Sequence, residues 1–329
     1  MRVLLEESAG PVRIAGADGR STVLTPAGSG LQAGGRPVGP VYRIVGAHPL
    51  RAADLRVRGA VEVRRPGKGL VVVNEVPLED YVAGTLGREA YRRWHPEALK
   101  AQAVVTRTYA LHERARHAGA AFHLRGDTGG QVYGGLDAES SEMLAATRAT
   151  RGEYLSFEGQ PILAVFHSAA GGRTASAEEV WGRPIPYLVS IAVEHEEESP
   201  DTYWRAAFPG TTLGRALAPV GVRVGPVREV SVAGRSASGR ADRVRIRGDA
   251  GVTELPAREL RRALGEGVIR STLFDVRDEP EGFVFVGSGH GHGVGMSQWG
   301  AQSMAMRGAG YREILAAFYP GTGLREGGR

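Results

Sequence analysis

Short apolar runs cut by glycine and proline open the chain: RVLLEE, VRIAG, STVLTP, VYRIVG, VEVRR and GLVVVNEV follow one another up to residue 75. Runs of this length bounded by turn residues predict strands, so residues 1–75 read as a β-rich N-terminal part. The period then changes. Pro77 stands where a helix can begin, and Leu78, Val82 and Leu86 recur every four residues along one face, with an end expected near Gly87. Pro96 marks a second start, from which Leu99, Ala103, Thr106 and Ala110 give a long helix a face of small residues, ending before Gly119. Farther on, SSEMLAATRATRG predicts a helix running toward Gly152, and EYLSFEGQPILAVFHS predicts a hairpin turning at Glu158-Gly159.

After Pro200 the texture shifts again. VREVSVAGRSASGRADRVRIRG predicts two strands around a Ser/Gly turn, ELPARELRRALG a short amphipathic helix, and GFVFVGSG a strand entering a glycine-rich loop. QWGAQSMAMRGAGYREILAAFYPGT predicts two helices broken at Gly308 to Gly310 and stopped by Pro320. Helices and short strands without regular βαβ alternation predict an α+β fold. Four parts are expected: 1–75, β-rich; 76–200, a helical core holding Glu89; 201–286, β-rich; and 287–329, the glycine-rich loop with C-terminal helices packing back on the core.

With 329 residues, 42% hydrophobic and 23% charged, the chain is long enough for two subdomains and too apolar for disorder. The absence of cysteine removes disulfides, thiolate nucleophiles and Cys-ligated zinc. No run approaches 18 apolar residues, so no membrane span is expected. MRVLLEESAG carries one Arg and too short an apolar run for a signal peptide. A net charge of +5 suits an acidic partner such as nucleic acid, a membrane surface or an anionic wall polymer, and equally an Arg-rich solvated surface. Because the aromatics are not interleaved with the basic residues as a stacking platform requires, nucleic acid is not expected as a partner.

Glu89 falls beside the connection between the two predicted helices, among Arg88, Lys100 and Arg107. It reads either as a solvated acid or as a general acid. Burial between the helices would raise its pKa and keep the proton, while Lys100 and Arg107 can position substrate or pull the pKa down. His167 and Ser168 leave a predicted strand into HSAAGGRT. Adjacent strand residues point to opposite faces, so they cannot simply form a dyad, and hydrogen bonding of substrate by backbone amides and Ser168 is the better reading. In GSGHGHGVGMSQWG, alternating glycines let backbone approach a ligand, and His290 with His292 offers a weak metal signal or a polar contact, against a tight structural loop. Asp127, Gln131 and Tyr133 offer polar contacts in DTGGQVYGG, or a simple turn. EHEEES, 194–199, has metal-like composition but reads as a solvated charge run.

Taken together, LEDYVAGTLGREA…ALKAQAVVTRTYAL, QVYGG, FHSAAGGRT…VWG…PYL and GHGVGMSQWGAQSMAMRGAGYREILAAFYPGT resemble the SpoIID/LytB family of bacterial peptidoglycan proteins. GRSASGR…LRRALG…IRSTLFDV is similar as well, so the resemblance runs from about residue 50 onward. It implies a SpoIID-like fold with a central substrate cleft, and cleavage of the MurNAc-GlcNAc bond of peptide-stripped glycan strands to 1,6-anhydro ends. Glu89 takes the catalytic place, with Lys100, Arg107, Gln131, Tyr133, His167, Ser168, His292, Ser297 and Gln298 as substrate-binding residues. It also implies a cell-wall amidase as partner, with a non-catalytic amidase enhancer as the alternative function, and a cell-envelope location whose export signal or anchor these residues do not encode. Some sporulation members use a cysteine-containing zinc site near QVY; this chain has no Cys, and no cofactor is expected. Where the final loop usually has an aromatic before Gly-His-Gly the chain has His290, so only His292 is carried over.

Overall fold

The computed structural model describes residues 1–46, 48–280 and 282–327; residues 47, 281, 328 and 329 of the expected parts lie outside the described residues. Its helices and strands make an α+β fold in two compact units, Met1–Ala164 with Thr322–Arg329, and Val165–Gly321.

In the first unit, strands Arg2–Ser8, Leu70–Glu75, Ala60–Arg64 and Val41–Val45 lie antiparallel in that order. Leu124–Arg125 adds to the outer edge, parallel to the first strand. Strand side chains alternate between faces, and both faces of Leu70–Glu75 are covered. Leu70 and Val72 enter the main core, while Val71 and Val73 join Leu4 in a smaller cluster. That double burial is why GLVVVNEV reads as one unbroken apolar run.

Helix α1 (Leu78–Glu89) follows Pro77, α2 (Pro96–Arg116) follows His95, and α3 (Ser141–Ala149) is capped by the Ser140 hydroxyl. Tyr81, Val82 and Leu86 of α1 meet Leu99, Ala103 and Ala110 of α2 and Met143 of α3 in the main core. Because Val104, Val105 and Thr108 are buried too, α2 is covered around most of its circumference and is the central helix of the unit. α1 ends at Glu89, two residues past Gly87 and close to the expected end. Gly87 is interior to the helix because the 135–138 turn passes so close that a Cβ there would stand 1.8 Å from the Ala138 carbonyl oxygen.

The hairpin pairs Glu153–Phe157 with Gln160–Pro161 and turns through Glu158 and Gly159, both at positive φ. On its other side Glu153–Phe157 pairs with Gly323–Glu326. A six-stranded sheet in the order Arg36–Gly39, Gly30–Ala33, Ser21–Ala27, Val12–Ala15, Leu50–Ala52, Leu55–Val57 completes the unit. Five of these strands are only three or four residues long, too short for a period to show in the sequence.

The second unit has two three-stranded antiparallel sheets, Trp204–Phe208/Gly282–Gly287/Phe274–Glu279 and Val227–Arg235/Ala241–Gly248/Gly251–Pro256. Their inner faces supply Trp204, Phe285, Val244 and Ile246 to one core, which α5 (Gly210–Leu217) and α6 (Ala257–Leu264) close with Leu213, Leu217 and Leu260. α4 (Ala177–Trp181), α7 (Gln298–Met306) and α8 (Tyr311–Phe318) complete it. Among the described residues no helix is long and apolar enough to cross a membrane.

Candidate functional site

Glu89 is the last residue of α1, where the backbone turns extended at Ala90 and the helix dipole is negative. Its carboxyl is half-buried. Burial raises its pKa above the ordinary carboxylate value, and the backbone N–H of Val132, donating to Glu89 Oε1 at 2.7 Å, opposes that rise without cancelling it. The group therefore keeps its proton to a higher pH than a surface glutamate and has a donor ready for its ionised form. Two and five residues on, Tyr91 and Trp94 hold their rings 5.5 Å apart at 57°, and Tyr91 is 60% exposed. Sugars offer apolar C–H faces that pack on such rings.

The segment that carries Val132 is held from inside. Tyr81 donates to Gln131 Oε1 at 2.8 Å and stacks on Tyr133 with centroids 5.4 Å apart, and the Tyr133 hydroxyl donates to Asn74 Oδ1 at 3.0 Å. Gln131 and Tyr133 are thus buried, contrary to their reading as exposed sugar contacts, and what they position is the Val132 N–H. The Gln131 Nε2 is buried with no hydrogen-bond partner in the described structure.

Arg107 also differs from expectation. It is 0% exposed, its fork grips Glu79 at 2.8 and 2.7 Å, and its remaining donors face the carbonyls of Ala103, Thr147 and Glu153. It ties α2 to α1 and to the 147–153 segment, and substrate cannot reach it. Lys100 is partly exposed and pairs with Glu97 at 2.6 Å.

In the second unit the two glycine-rich motifs lie side by side. Phe166–His167 pairs in parallel with Met296–Ser297, and backbone bridges join Ala169 to His290 and Ala175 to Val294. His167 Nδ1 donates to the Val294 carbonyl at 3.1 Å, and the Val294 N–H donates to His292 Nδ1 at 3.0 Å. The two rings lie 5.7 Å apart, and Trp181 is 6.0 Å from that of His292. Burial pushes His167 well below the ordinary histidine pKa and His292 down to about 4, so both are neutral at pH 7. Gly291 and Gly293, at positive φ, let the loop pass this close: a Cβ would stand 2.8 Å from the His167 Cβ or 2.7 Å from an Arg240 nitrogen.

Ser168 points its hydroxyl at Asp201, 3.4 Å away, which also receives His290 Nδ1 at 3.2 Å. Ser297 is fully buried and donates to Glu196, and Gln298, the first residue of α7, is buried. Among the described residues no group of three or more His, Asp or Glu side chains is arranged to hold a metal.

Glu196 is what the sequence reading missed. It is 8% exposed, and its carboxylate accepts the backbone N–H groups of Ala170, Gly171 and Gly172 at 2.9 to 3.4 Å besides the Ser297 hydroxyl. The amides of HSAAGG therefore serve an internal carboxylate instead of a substrate, and EHEEES is not uniformly solvated. Its neighbours Glu194, Glu197 and Glu198 are exposed. His195, at φ 62, makes the turn that sends Glu196 inward. Nothing in a run of four acids marks which one does so.

The family model described as Stage II sporulation protein, SpoIID, matches residues 66–157, and a domain of unknown function, DUF8618, matches residues 188–295. An uncharacterized protein of Brachyspira hyodysenteriae is 33% identical over 258 residues, 78% of this chain and 68% of that protein. Stage II sporulation protein D of Bacillus amyloliquefaciens is 31% identical over 272 residues, 77% of this chain and 76% of that protein. The Amidase enhancer of Bacillus subtilis is 28% identical over 286 residues, and the chain spans only 40% of its length.

Proposed function

The chain belongs to the SpoIID/LytB family, and from that premise we propose that it is a cell-envelope lytic transglycosylase that cleaves the MurNAc-GlcNAc bond of peptide-stripped peptidoglycan strands. The observation that carries the reading is the half-buried Glu89 carboxyl, whose proton burial favours and whose ionised form the Val132 N–H supports. Protonated Glu89 donates to the bridging glycosidic oxygen, and the C1–O bond breaks with its electron pair staying on that oxygen. The muramic acid C6 hydroxyl then closes on C1 while the Glu89 carboxylate takes its proton. A 1,6-anhydro end forms, the acid is restored, and no water is consumed.

One carboxyl suffices for this sequence, whereas hydrolysis wants a second at about 5 Å for retention or about 6.5–9.5 Å for inversion. The Val132 N–H stabilises the carboxylate between the two proton transfers. Tyr91 and Trp94 offer a face for a sugar ring, and Lys100 offers charge stabilisation. Ser168 and His292 are proposed as glycan contacts of the second unit, and the buried Gln298 is not.

Mass spectrometry of digested, peptide-free glycan tests the reading. Wild type should release anhydro-muramic ends that vanish in Glu89→Gln; ordinary reducing ends from wild type would refute the lytic step. The likeness to the Amidase enhancer supports a second reading, a non-catalytic wall-binding partner of an amidase. It expects no cleavage by wild type, glycan pulldown unaffected by Glu89→Gln, and faster amidase turnover.

A further inference from the structure

Tyr81 takes no part in the chemistry proposed above, but its hydroxyl grips the segment that faces Glu89. Two turns of α1 separate the two residues, about 12 Å along the helix axis, so Tyr81 reaches the acid by way of residues 131–134.

That segment is tied down on both sides of Val132. Before it, Gln131 Oε1 accepts from the Tyr81 hydroxyl at 2.8 Å. After it, the Tyr133 hydroxyl donates to Asn74 Oδ1 at 3.0 Å, and Asn74 Nδ2 donates in turn to the carbonyls of Arg58 and Ala60 at 2.9 and 3.0 Å. All four side chains are buried, where hydrogen bonds are stronger than in water. The Gly134 N–H also donates to the Gly84 carbonyl of α1 at 3.0 Å. Gly84 permits this approach, because a Cβ there would stand 2.8 Å from the Gly135 carbonyl oxygen and 2.9 Å from the Tyr133 ring. Helix α1 therefore carries the acid at its last residue and, through Tyr81 and Gly84, holds the strip of backbone that donates to that acid. Donor and acceptor share one rigid reference.

Gln131 is a costly residue for packing alone. Its Nε2 is buried without a partner in the described structure, and a buried donor left unpaired destabilises more than an apolar side chain of that size would. What its amide does make is the bond to Tyr81, directly before the Val132 N–H.

We propose that Tyr81 is a positioning residue for Glu89, acting through Gln131 to hold the Val132 N–H on the carboxylate. This role rests on the reading of Glu89 as the acid. The titration of Glu89 in the full chain makes the test, followed by carbon-13 NMR of its carboxyl and by the Val132 amide proton, whose resonance should move as that carboxyl ionises. Tyr81→Phe deletes one hydroxyl and keeps the ring that stacks on Tyr133. A hydrogen bond to a charged group is worth about one pH unit of titration or more. Glu89 should therefore titrate about one pH unit higher in Tyr81→Phe than in wild type, and the movement of the Val132 amide should shrink. Gln131→Met should do the same, and the double variant should shift no further than either alone, because both break one bond. Gln131→Met carries the test where Tyr81→Phe fails to fold. In the cleavage assay, the pH at which the rate declines should rise together with the Glu89 titration.

A Glu89 titration that stays in place while the melting temperature falls would make Tyr81 a packing residue and overturn the proposal, as would shifts that add in the double variant. A titration that moves in a chain that cleaves no glycan leaves the positioning role standing and removes the transglycosylase reading. Cleavage by wild type with an unmoved titration in Tyr81→Phe does the reverse.

Discussion

Replacing Arg107 by methionine keeps the length and the apolar stem of the side chain and deletes only the charged fork. In the wild type that fork is fully buried, and its partner Glu79 is itself 17% exposed. The substitution leaves the Glu79 carboxylate in a poorly solvated place and takes donors from the carbonyls of Ala103, Thr147 and Glu153. Breaking a buried pair on one side costs about 3–5 kcal/mol. For a folding unit of this size, each kcal/mol moves the melting temperature by about 2–4 °C, so a fall of roughly 6–20 °C is expected. Glu79→Gln alone should also destabilise, since it strands the arginine instead. The double variant should lose less than the sum of the two, with a coupling of about 1–3 kcal/mol. Thermal and urea unfolding of the four proteins measures this. A melting temperature within about 1 °C of wild type, with the loss confined to glycan affinity, would sink the structural reading and return Arg107 to the substrate.

Glu89→Gln should lower the cleavage rate by about 10²- to 10⁴-fold without unfolding the chain, read from anhydro-end release beside a melting curve. Because the Glu89 pKa is raised in the folded chain, cleavage should decline as pH rises through that raised value, and the Glu89 contribution to stability, present at low pH, should be lost over the same window; a pH-rate profile breaking at an ordinary surface carboxylate value would contradict this. His292 has the opposite sign. Its pKa is lowered from 6.5 to about 4, so between those values the unfolded chain binds the proton first, and stability should fall as pH falls; His292→Gln should flatten that slope in urea titrations. Glu196→Ala leaves three amides and a hydroxyl without their acceptor and should destabilise by about 3 kcal/mol or more, measured by urea unfolding.

Where a residue's reason for being is local, the sequence already shows it. Pro77 and Pro96 announce α1 and α2, the one as the residue just before the helix and the other as its first residue, because a missing N–H and a fixed φ are tolerated at a helix start. The second arm of the Ser/Gly turn at 236–240, Ala241–Gly248, alternates because Val244 and Ile246 are buried in the core that α6 closes. Gly87 lies two residues before the end of α1, and its absent side chain has a tertiary reason the sequence does not show: it admits the Ala138 carbonyl. The setting of Glu89 was legible as an acid beside a helix junction. The residues that restrain it were not, since the Tyr81–Gln131 bond spans 50 positions and Gln131 looks like any loop amide. Arg107 and Lys100 share a helix and a charge, and only burial separates a buried tie from a partly exposed amine. Glu196 required knowing which way a strained backbone turn faces.

The strand Gly323–Glu326 completes the three-stranded sheet begun by Glu153–Phe157, and some 165 residues intervene. During synthesis at about 5–20 residues per second, that interval lasts on the order of ten to thirty seconds. Through it, the first unit waits on the ribosome with one edge of Glu153–Phe157 open, while the whole of Val165–Gly321 is made and can close on its own core. An unpaired edge held open for so long invites pairing with a wrong strand. The folding order of the nascent chain is thus inverted relative to its sequence, with the N-terminal unit finishing last.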